Sequence, residues 1–218
     1  MFKDRIEAGQ RLAEALSPRK NERPLVLAIP RGGVAVGYQV AEYLQTELSI
    51  VVVRKLPFPD NPEAGFGAIA EDGSTYFVDR AAEMLPSDII DKIVNEQKCE
   101  VTRRVDVLRK GEPLPTIKNR IVILVDDGIA MGSTMRAALL LCRARQAKEI
   151  IVASPVAGPA VAAEFEKLAD RVVILEKPVV FRAVAQAYKN WHDVTDREVL
   201  DLLQTRQKRL INSQSVTG

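Results

Sequence analysis

The sequence predicts a doubly wound α/β domain built on a mainly parallel five-stranded sheet with helices on both faces. Short apolar runs rich in β-branched residues alternate with helical patterns, and each run is continuously apolar rather than alternating in polarity. Such runs are typical of parallel strands that are covered on both faces. The predicted strands are LVLAIP (25–30), IVVVRK (50–55), IVILVD (121–126), IIVASPV (150–156) and RVVILE (171–176), and the predicted helices between them are 33–45, 132–145 and 157–168.

An antiparallel element interrupts this alternation. FGAIAEDGSTYFVD (66–79) predicts a β-hairpin that turns at Asp72-Gly73, because this dipeptide favours tight hairpin turns. A helix follows from about Ser87, with apolar residues at three- and four-residue spacing through Leu108. This spacing gives the helix one apolar stripe, which we expect to pack across the sheet.

The two ends of the chain predict helices outside the strand–helix alternation. Residues 3–16 have an amphipathic pattern, and residues 179–208 hold two more helical stretches. In the second of these, Thr195 and Glu198 have the spacing of a capping box. The last residues, 209–218, predict a polar disordered tail.

The composition limits the classes of function that the protein can have. The 218 residues are 47% hydrophobic and 28% charged, and their net charge of +2 comes from interspersed acids and bases. This balance does not favour a dedicated nucleic-acid binder. No apolar run approaches the roughly 20 residues that span a bilayer, and the N-terminus lacks a signal-peptide pattern. Cys99 and Cys142 lack metal-ligand spacing, so we expect reduced thiols in a cytoplasmic protein.

The segment VILVDDGIAMGST (122–134) carries the most informative pattern. It predicts a strand ending at Asp126 and Asp127, then a glycine-containing loop, then a helix that starts near Ser133 and Thr134. Amides at a helix N-terminus lack intrahelical partners and bind phosphate. Two carboxylates beside a phosphate need another partner: a sugar diol can donate to them, and a divalent cation reduces the remaining repulsion. The segment therefore predicts a ribose-5-phosphate site.

Other phosphate motifs fit this segment less well. It lacks the Gly-Lys-Ser/Thr of a Walker A loop, and its acids precede its glycines, unlike those of a dinucleotide fingerprint. An ordinary strand–helix turn, in which an aspartate caps the helix, stays open as an alternative.

The 122–134 segment resembles the phosphoribosyl-pyrophosphate motif of the type I phosphoribosyltransferases, which has a hydrophobic strand, two acids and a loop ending in Thr-Gly-x-Thr or a close variant. The resemblance implies that Asp126 and Asp127 hold the ribose hydroxyls and that residues 130–134, the predicted phosphate loop, hold the 5′-phosphate. Met131 replaces the usual threonine, which removes one hydroxyl contact. Ala130 stands where hypoxanthine-guanine enzymes carry an aspartate that handles the purine, which argues against a 6-oxopurine substrate. The implied phosphate-binding residues are Ala130, Met131, Gly132, Ser133 and Thr134.

A second strand–loop–helix unit, AIPRGGVAVG (28–37), resembles the pyrophosphate loop of the same family. Arg31 offers a fork of donors, and Gly32-Gly33 lets an anion approach the backbone. A glycine-rich turn with an exposed arginine is the alternative.

Arg54-Lys55 resembles residues that contact pyrophosphate in the orotate enzymes. In the family, a mobile loop at this place closes over the substrate. Here the Pro-rich loop 56–66 carries Asp60 and Glu63 and no basic residue, so a surface hairpin with solvated charges stays open. A group of bacterial phosphoribosyltransferases carries similar PRGG, RK…NPE…GA and DDG motifs, and the chain resembles that group.

The resemblance covers residues 25–180 and implies a single domain over 1–208, with a small hood built from both chain ends above the acceptor. Phe181 and Trp191 are candidates for stacking on a base, with packing inside the hood as the alternative. Members of the family are commonly homodimers, and we expect the same here.

The implied function is Mg²⁺-dependent transfer of a 5-phosphoribosyl group between phosphoribosyl pyrophosphate and a nitrogenous base or amine. The reaction passes through an oxocarbenium-like state at C1′ and needs no protein nucleophile. Asp126, Asp127, Arg31 and Lys55 are the predicted catalytic residues, with Mg²⁺ near the two aspartates. Two alternatives stay open: a regulator that senses phosphoribosyl pyrophosphate and binds nucleic acid, and a hydrolase of nucleotide-sugar phosphates.

Overall fold

The computed structural model of the protein describes residues 1–215 and confirms the predicted fold class. Its main sheet consists of the parallel strands β1 (Leu25–Ala28), β2 (Leu48–Ile50), β6 (Ile121–Val125), β7 (Glu149–Val156) and β8 (Arg171–Glu176). Their order across the sheet is β2-β1-β6-β7-β8. The helices on its two faces are α1 (Arg5–Ala15), α2 (Gly32–Leu44), α4 (Ser133–Ala144) and α5 (Pro159–Leu168).

Successive residues of the central strand contact opposite layers of helices. Val122 and Leu124 of β6 pack in the cluster that contains α4 and α5. Ile123 and Val125 pack in the cluster that contains α1 and α2. Because side chains alternate across a strand, a sheet covered on both faces needs an apolar residue at every position. This explains the continuous apolar runs in the sequence.

A second, antiparallel sheet consists of β3 (Val53–Phe58), β4 (Asn61–Ala70) and β5 (Thr75–Phe77). Strands β4 and β5 confirm the predicted hairpin. Gly73 in its turn has a φ of +90°, a conformation that glycine adopts without steric cost.

The predicted strand 50–55 is wrong as a single element. β2 ends at Ile50 in the parallel sheet, and β3 begins at Val53 in the antiparallel sheet. Between them, the amide of Val52 donates to Oε1 of Glu71 at 2.9 Å. Because a side chain takes the place of a neighbouring strand at this position, the chain can leave the first sheet and start the second.

The segment 56–66, predicted as a Pro-rich loop, is mostly strand. β3 and β4 form a hairpin that closes at residues 59–60. The register between the strands shifts on both sides of Pro57, because proline has no amide to donate to the ladder. Asp60 is exposed at the hairpin end, and the side chain of Glu63 lies outside the described residues.

The long helix α3 (Ser87–Arg109) packs mainly on β3, β4 and α6 (Asp196–Ser215), rather than across the parallel sheet as expected. Near its end, Nη1 of Arg109 lies 2.9 Å from Oε1 of Glu71 and donates to the carbonyl of Ile50 at 3.1 Å. Both charged side chains are less than a tenth exposed. This buried ion pair ties α3 to both sheets.

The two chain ends pair with each other. The amide of Phe2 donates to the carbonyl of Ala187 at 2.7 Å, and the amide of Lys189 donates to the carbonyl of Phe2 at 2.8 Å. Phe2 is fully buried in a cluster with Tyr188. The N-terminus is therefore held against the segment that follows β8.

The C-terminal segment holds the two predicted helical stretches. The first is a 3-10 turn (Val184–Ala187), and the second is α6. The predicted capping box is present: the amide of Thr195 donates to Oε2 of Glu198 at 2.8 Å, and the amide of Glu198 donates to Oγ1 of Thr195 at 3.2 Å.

The helix α6 continues through Ser215, although the sequence predicted a disordered tail from residue 209. Nη1 of Arg209 lies 2.8 Å from Oε1 of Glu42, which joins this part of α6 to α2. Residues 216–218 lie outside the described residues. None of the helices within residues 1–215 combines the length and the apolar character that crossing a membrane requires.

Candidate functional site

The two predicted ligand loops lie side by side because β1 and β6 are neighbouring parallel strands. Ala28 of β1 is in register with Val125 of β6, so both strands end at the same edge of the sheet, where open α/β folds bind ligands. From β1 the chain passes through Pro30, whose peptide bond to Arg31 is cis, into α2 at Gly32.

Gly32 and Gly33 are required by their close approach to the aspartates. A Cβ at Gly33 would lie 2.9 Å from the carbonyl oxygen of Val125 and 3.0 Å from Cα of Asp126. A Cβ at Gly32 would lie 2.6 Å from Cγ of Asp127. The sequence suggested that these glycines admit an anion; the structure adds that they admit the neighbouring loop.

The two aspartates differ in their surroundings. Asp127 is buried, and its Oδ2 accepts a hydrogen bond from Nε of Arg5 at 2.7 Å. Its main-chain carbonyl accepts from the Tyr188 hydroxyl at 2.5 Å. Asp126 accepts from the amide of Asp127 at 2.9 Å, while burial and the neighbouring carboxylate raise its pKa well above the usual range. Hydrogen-bond donors or a cation near Asp126 would therefore stabilise its charged form.

The predicted phosphate loop ends at an uncapped helix start. Gly132 has a φ of +77° directly before α4, and no side chain caps the first turn. Ser133 and Thr134 are half-buried in that turn, whereas Ala130 is exposed and the Met131 side chain is 59% exposed. The unpaired amides and the dipole of a helix start favour an anion here.

The side chain of Arg136 supports the predicted phosphate loop. Its guanidinium is buried, donates to the carbonyl of Met131 at 2.7 Å and pairs with Glu164. It also packs against the rings of Tyr76 and Phe165, at 5.1 and 5.0 Å from their centroids. Arg136 therefore holds the loop between α5 and the antiparallel sheet.

Arg54 contacts α3, and the charge of Arg31 acts on it from the end of β1. Arg31 is exposed, with Nη1 3.6 Å from Oδ1 of Asp196. Arg54 is half-buried, and its Nε donates to Oε1 of Gln97 at 3.3 Å. Burial lowers the pKa of Arg54, and the charges of Arg104 and Arg31 lower it further. This destabilised cation would gain from a bound anion.

Lys55 faces away from Arg54, because successive strand residues point to opposite faces of a sheet. It is in register with Ala68, which is in register with Tyr76. Lys55 therefore shares a face with Tyr76, whose ring contacts Arg136 under the phosphate loop. The hairpin thus separates the two predicted pyrophosphate ligands: Arg54 lies toward α3, and Lys55 lies on the face that packs toward α4.

The predicted base-stacking residues lie where the two chain ends meet. Phe181 packs half-buried against the cluster of Phe2 and Tyr188. The Trp191 ring lies under the guanidinium of Arg5, whose Cζ is 3.9 Å from the ring centroid, and 39% of Trp191 is exposed. Arg5 therefore already covers one face of Trp191, and the Tyr188 ring lies 5.5 Å from the Trp191 ring, centroid to centroid.

Three residues of this region carry contacts that the sequence did not indicate. Arg5 belongs to an amphipathic helix, where an arginine is expected to face solvent, and Tyr188 was one aromatic residue among several. Arg136 differs from these two, because the sequence shows it as a lone cation at the start of the apolar helix pattern MRAALLLC. Its position just after the phosphate loop could have indicated a supporting role.

Comparison with known proteins identifies the family. The phosphoribosyl transferase domain family matches residues 3–188. Two Mycobacterium tuberculosis proteins, provisionally named phosphoribosyl transferases, are 39% identical over 205 residues, which cover 93% of this chain and 46% of each relative. The chain thus spans about half the length of these curated relatives. The crystal structure of TT1426 from Thermus thermophilus is similar with 38% identity and a TM-score of 0.79, covering 93% of this chain and 97% of that one. The chain therefore belongs to the phosphoribosyl transferase domain family.

Proposed function

We propose that the protein transfers a 5-phosphoribosyl group between phosphoribosyl pyrophosphate and a nitrogenous base or amine. The observation that carries this proposal is the packing of Gly32 and Gly33 against Asp126 and Asp127, from which the loop 128–132 leads to the uncapped start of α4. An anion loop, two carboxylates and a helix N-terminus thus share one edge of the sheet. A ribose with phosphates at both ends needs these three features together.

In this proposal the ribose and its 5′-phosphate use separate groups. Asp126 and Asp127 accept hydrogen bonds from the ribose hydroxyls. The main-chain amides of residues 130–134 bind the 5′-phosphate, with the hydroxyls of Ser133 and Thr134 as further donors. Met131 takes part only through its backbone.

The pyrophosphate binds at the start of α2, against the amides near Gly32 and the guanidinium of Arg31, with Arg54 or Lys55 on the hairpin side. As the bond between C1′ and the pyrophosphate oxygen breaks, the electron pair leaves with the pyrophosphate. The cations stabilise that charge, and the aspartates stabilise the positive ribose until the acceptor nitrogen bonds to C1′ and releases its proton to solvent. The protein contributes positioning and electrostatics rather than a nucleophile.

Mg²⁺ completes the proposal. Among residues 1–215, no group of three or more histidine, cysteine or acidic side chains could hold a metal ion by itself. Mg²⁺ commonly keeps several waters and binds through one or two carboxylates plus substrate phosphates, a mode that Asp126 and Asp127 suit. Bound there, it would neutralise charge on the departing pyrophosphate.

The acceptor binds under the meeting chain ends. Phe181 and the exposed part of Trp191 offer aromatic surface for a planar base, and Ala130 disfavours a 6-oxopurine. We further propose a cytoplasmic homodimer; both cysteines are free, as a reducing compartment would maintain them.

Calorimetric titration with phosphoribosyl pyrophosphate and Mg²⁺, followed by an acceptor panel assayed for pyrophosphate release, tests this function. The double variant Asp126→Asn/Asp127→Asn should lose turnover. Asp91→Asn, which changes an exposed aspartate of α3, is the control and should keep it. Full turnover in the double variant would rule the site out, and phosphate release without any acceptor would indicate a hydrolase instead.

A further inference from the structure

Arg5 connects the hood to the carboxylates of the ribose site. Its Nε donates to Oδ2 of Asp127 at 2.7 Å, and the two side chains are only 6% and 12% exposed. Its Nη1 donates to the carbonyl of His192 at 2.8 Å, and its guanidinium stacks on Trp191. Arg5 is the first residue of α1, whose start is fixed by the Asp4 side chain. One arginine from the N-terminus thus joins the C-terminal segment to the end of β6.

The same cluster holds both the side chain and the main chain of Asp127. While Arg5 binds the carboxylate, the hydroxyl of Tyr188 donates to the Asp127 carbonyl at 2.5 Å. The Tyr188 ring lies 5.5 Å from Trp191 and 5.8 Å from the Arg5 guanidinium.

We propose that Arg5 is a positioning residue of the ribose site, which acts through Asp127 and couples the hood to ribose binding. This inference rests on the proposed function. It adds a residue outside the strand–loop–helix motifs. It also distinguishes the two aspartates, because Arg5 donates a hydrogen bond to the carboxylate of Asp127 and not to that of Asp126.

The first reason is charge. Asp126 and Asp127 are adjacent carboxylates at the end of β6, and their like charges repel each other. Arg5 supplies the opposing charge. The hydrogen bond from its Nε to Oδ2 at 2.7 Å holds the Asp127 carboxylate in place beside that of Asp126.

The second reason is geometry. Arg5 donates a hydrogen bond to Oδ2 of Asp127. Oδ1 of Asp127 and the Asp126 carboxylate then accept hydrogen bonds from the ribose hydroxyls. A Cβ at Gly32 would lie 3.1 Å from Nε of Arg5, so the pair lies directly against the predicted pyrophosphate loop. A side chain fixed by Arg5 is held ready for the ligand, whereas a free aspartate would lose rotamer entropy on binding.

Trp191 offers a direct readout, because it is the single tryptophan of the chain and contacts Arg5. Fluorescence titrations with ribose 5-phosphate and with inorganic pyrophosphate should be made on the wild type, Arg5→Met and Arg5→Lys. Arg11→Met is the matched control: this arginine is also in α1, lies 4.7 Å from the Phe2 ring centroid and 3.7 Å from Glu176, and does not contact Asp127.

We expect ribose 5-phosphate to change the Trp191 emission of the wild type. Arg5→Met should weaken its binding about tenfold, the loss expected for one hydrogen bond to a charged group, and should leave pyrophosphate affinity unchanged. Arg5→Lys keeps the charge and should recover part of the loss, and Arg11→Met should match the wild type. If Arg5→Met fails to fold, selective weakening of ribose 5-phosphate in Arg5→Lys carries the test.

Three results would overturn the inference. Equal ribose 5-phosphate affinity in Arg5→Met and the wild type would show that Arg5 does not position Asp127, and tighter binding would show that it competes with the ligand. Equal losses for both ligands together with a lower melting temperature would show a purely structural ion pair. A wild type that binds neither ribose 5-phosphate nor phosphoribosyl pyrophosphate would instead defeat the proposed function itself.

Discussion

Replacing Gly32 with alanine tests whether the two ligand loops depend on their close packing. The new Cβ would lie 2.6 Å from Cγ of Asp127, whereas carbon atoms in contact are about 3.5–4.0 Å apart. The carboxylate must therefore move by about 1 Å. Since Arg5 holds it at 2.7 Å, this movement breaks or distorts the ion pair. A displacement of about 1 Å at a reacting site costs roughly 100-fold in activity.

The effect on folding should be smaller. Overpacking costs about 1–3 kcal/mol, and replacing glycine with alanine offsets up to about 1 kcal/mol by lowering the entropy of the unfolded chain. We therefore expect Gly32→Ala to remain folded, with kcat/KM for phosphoribosyl pyrophosphate reduced roughly 100-fold.

The assay is pyrophosphate release with the best acceptor, beside thermal unfolding of each variant. Gly158→Ala is the control, because a Cβ at Gly158 meets no atom within 4 Å and its φ of −64° suits alanine. Wild-type kcat/KM in Gly32→Ala would refute the reasoning, since the aspartate would then tolerate displacement. An equal loss in Gly158→Ala would show that any added methyl group is harmful.

Three further predictions concern the supports of the site. Glu71→Ala should lower the free energy of unfolding by about 3–5 kcal/mol, because it leaves Arg109 buried without its partner; a denaturant midpoint equal to that of the wild type would contradict this. Arg136→Met should weaken ribose 5-phosphate binding about tenfold, because the phosphate loop loses a charged hydrogen bond; calorimetry with pyrophosphate, which should bind normally, is the control. Hydrogen bonds from Thr195 lower the pKa of Glu198 to about 2, so its stabilisation is present above about pH 4.5 and is lost as the pH falls toward 2; NMR titration should show this low pKa, and Thr195→Ala should raise it.

The parts of the site that a short segment encodes could be predicted from the sequence. The strand, acids, loop and helix start of 122–134 are consecutive in the chain. The apolar run, the charges and the glycines therefore predict each of these parts without knowledge of the tertiary structure. The same holds for Arg31 and its glycines, and for the capping box at Thr195. The structure then brings the two loops together, because β1 and β6 are neighbouring parallel strands that end at the same edge of the sheet.

The residues that support the site could not be predicted in this way, because their partners are distant in the chain. Arg5 and Asp127 are 122 positions apart. The pattern of an amphipathic helix does not indicate which distant residue an arginine in it will contact. The break in the strand 50–55 depends on Glu71, whose carboxylate replaces a neighbouring strand as acceptor. Lys55 and Arg54 are adjacent in sequence, yet the pleat of β3 turns them to opposite faces.

The sequence by itself determined the fold class, the strand–loop–helix segments at 28–37 and 122–134 and the carboxylate pair after β6, since hydrophobic periodicity and glycine placement act over a few residues. Only the tertiary structure decided that the aspartates are unequal. Asp127 is fixed by an arginine and a tyrosine from the two chain ends, while Asp126 remains with a raised pKa beside the loop. Burial and a charged partner set the behaviour of a carboxylate, and both are properties of the folded chain.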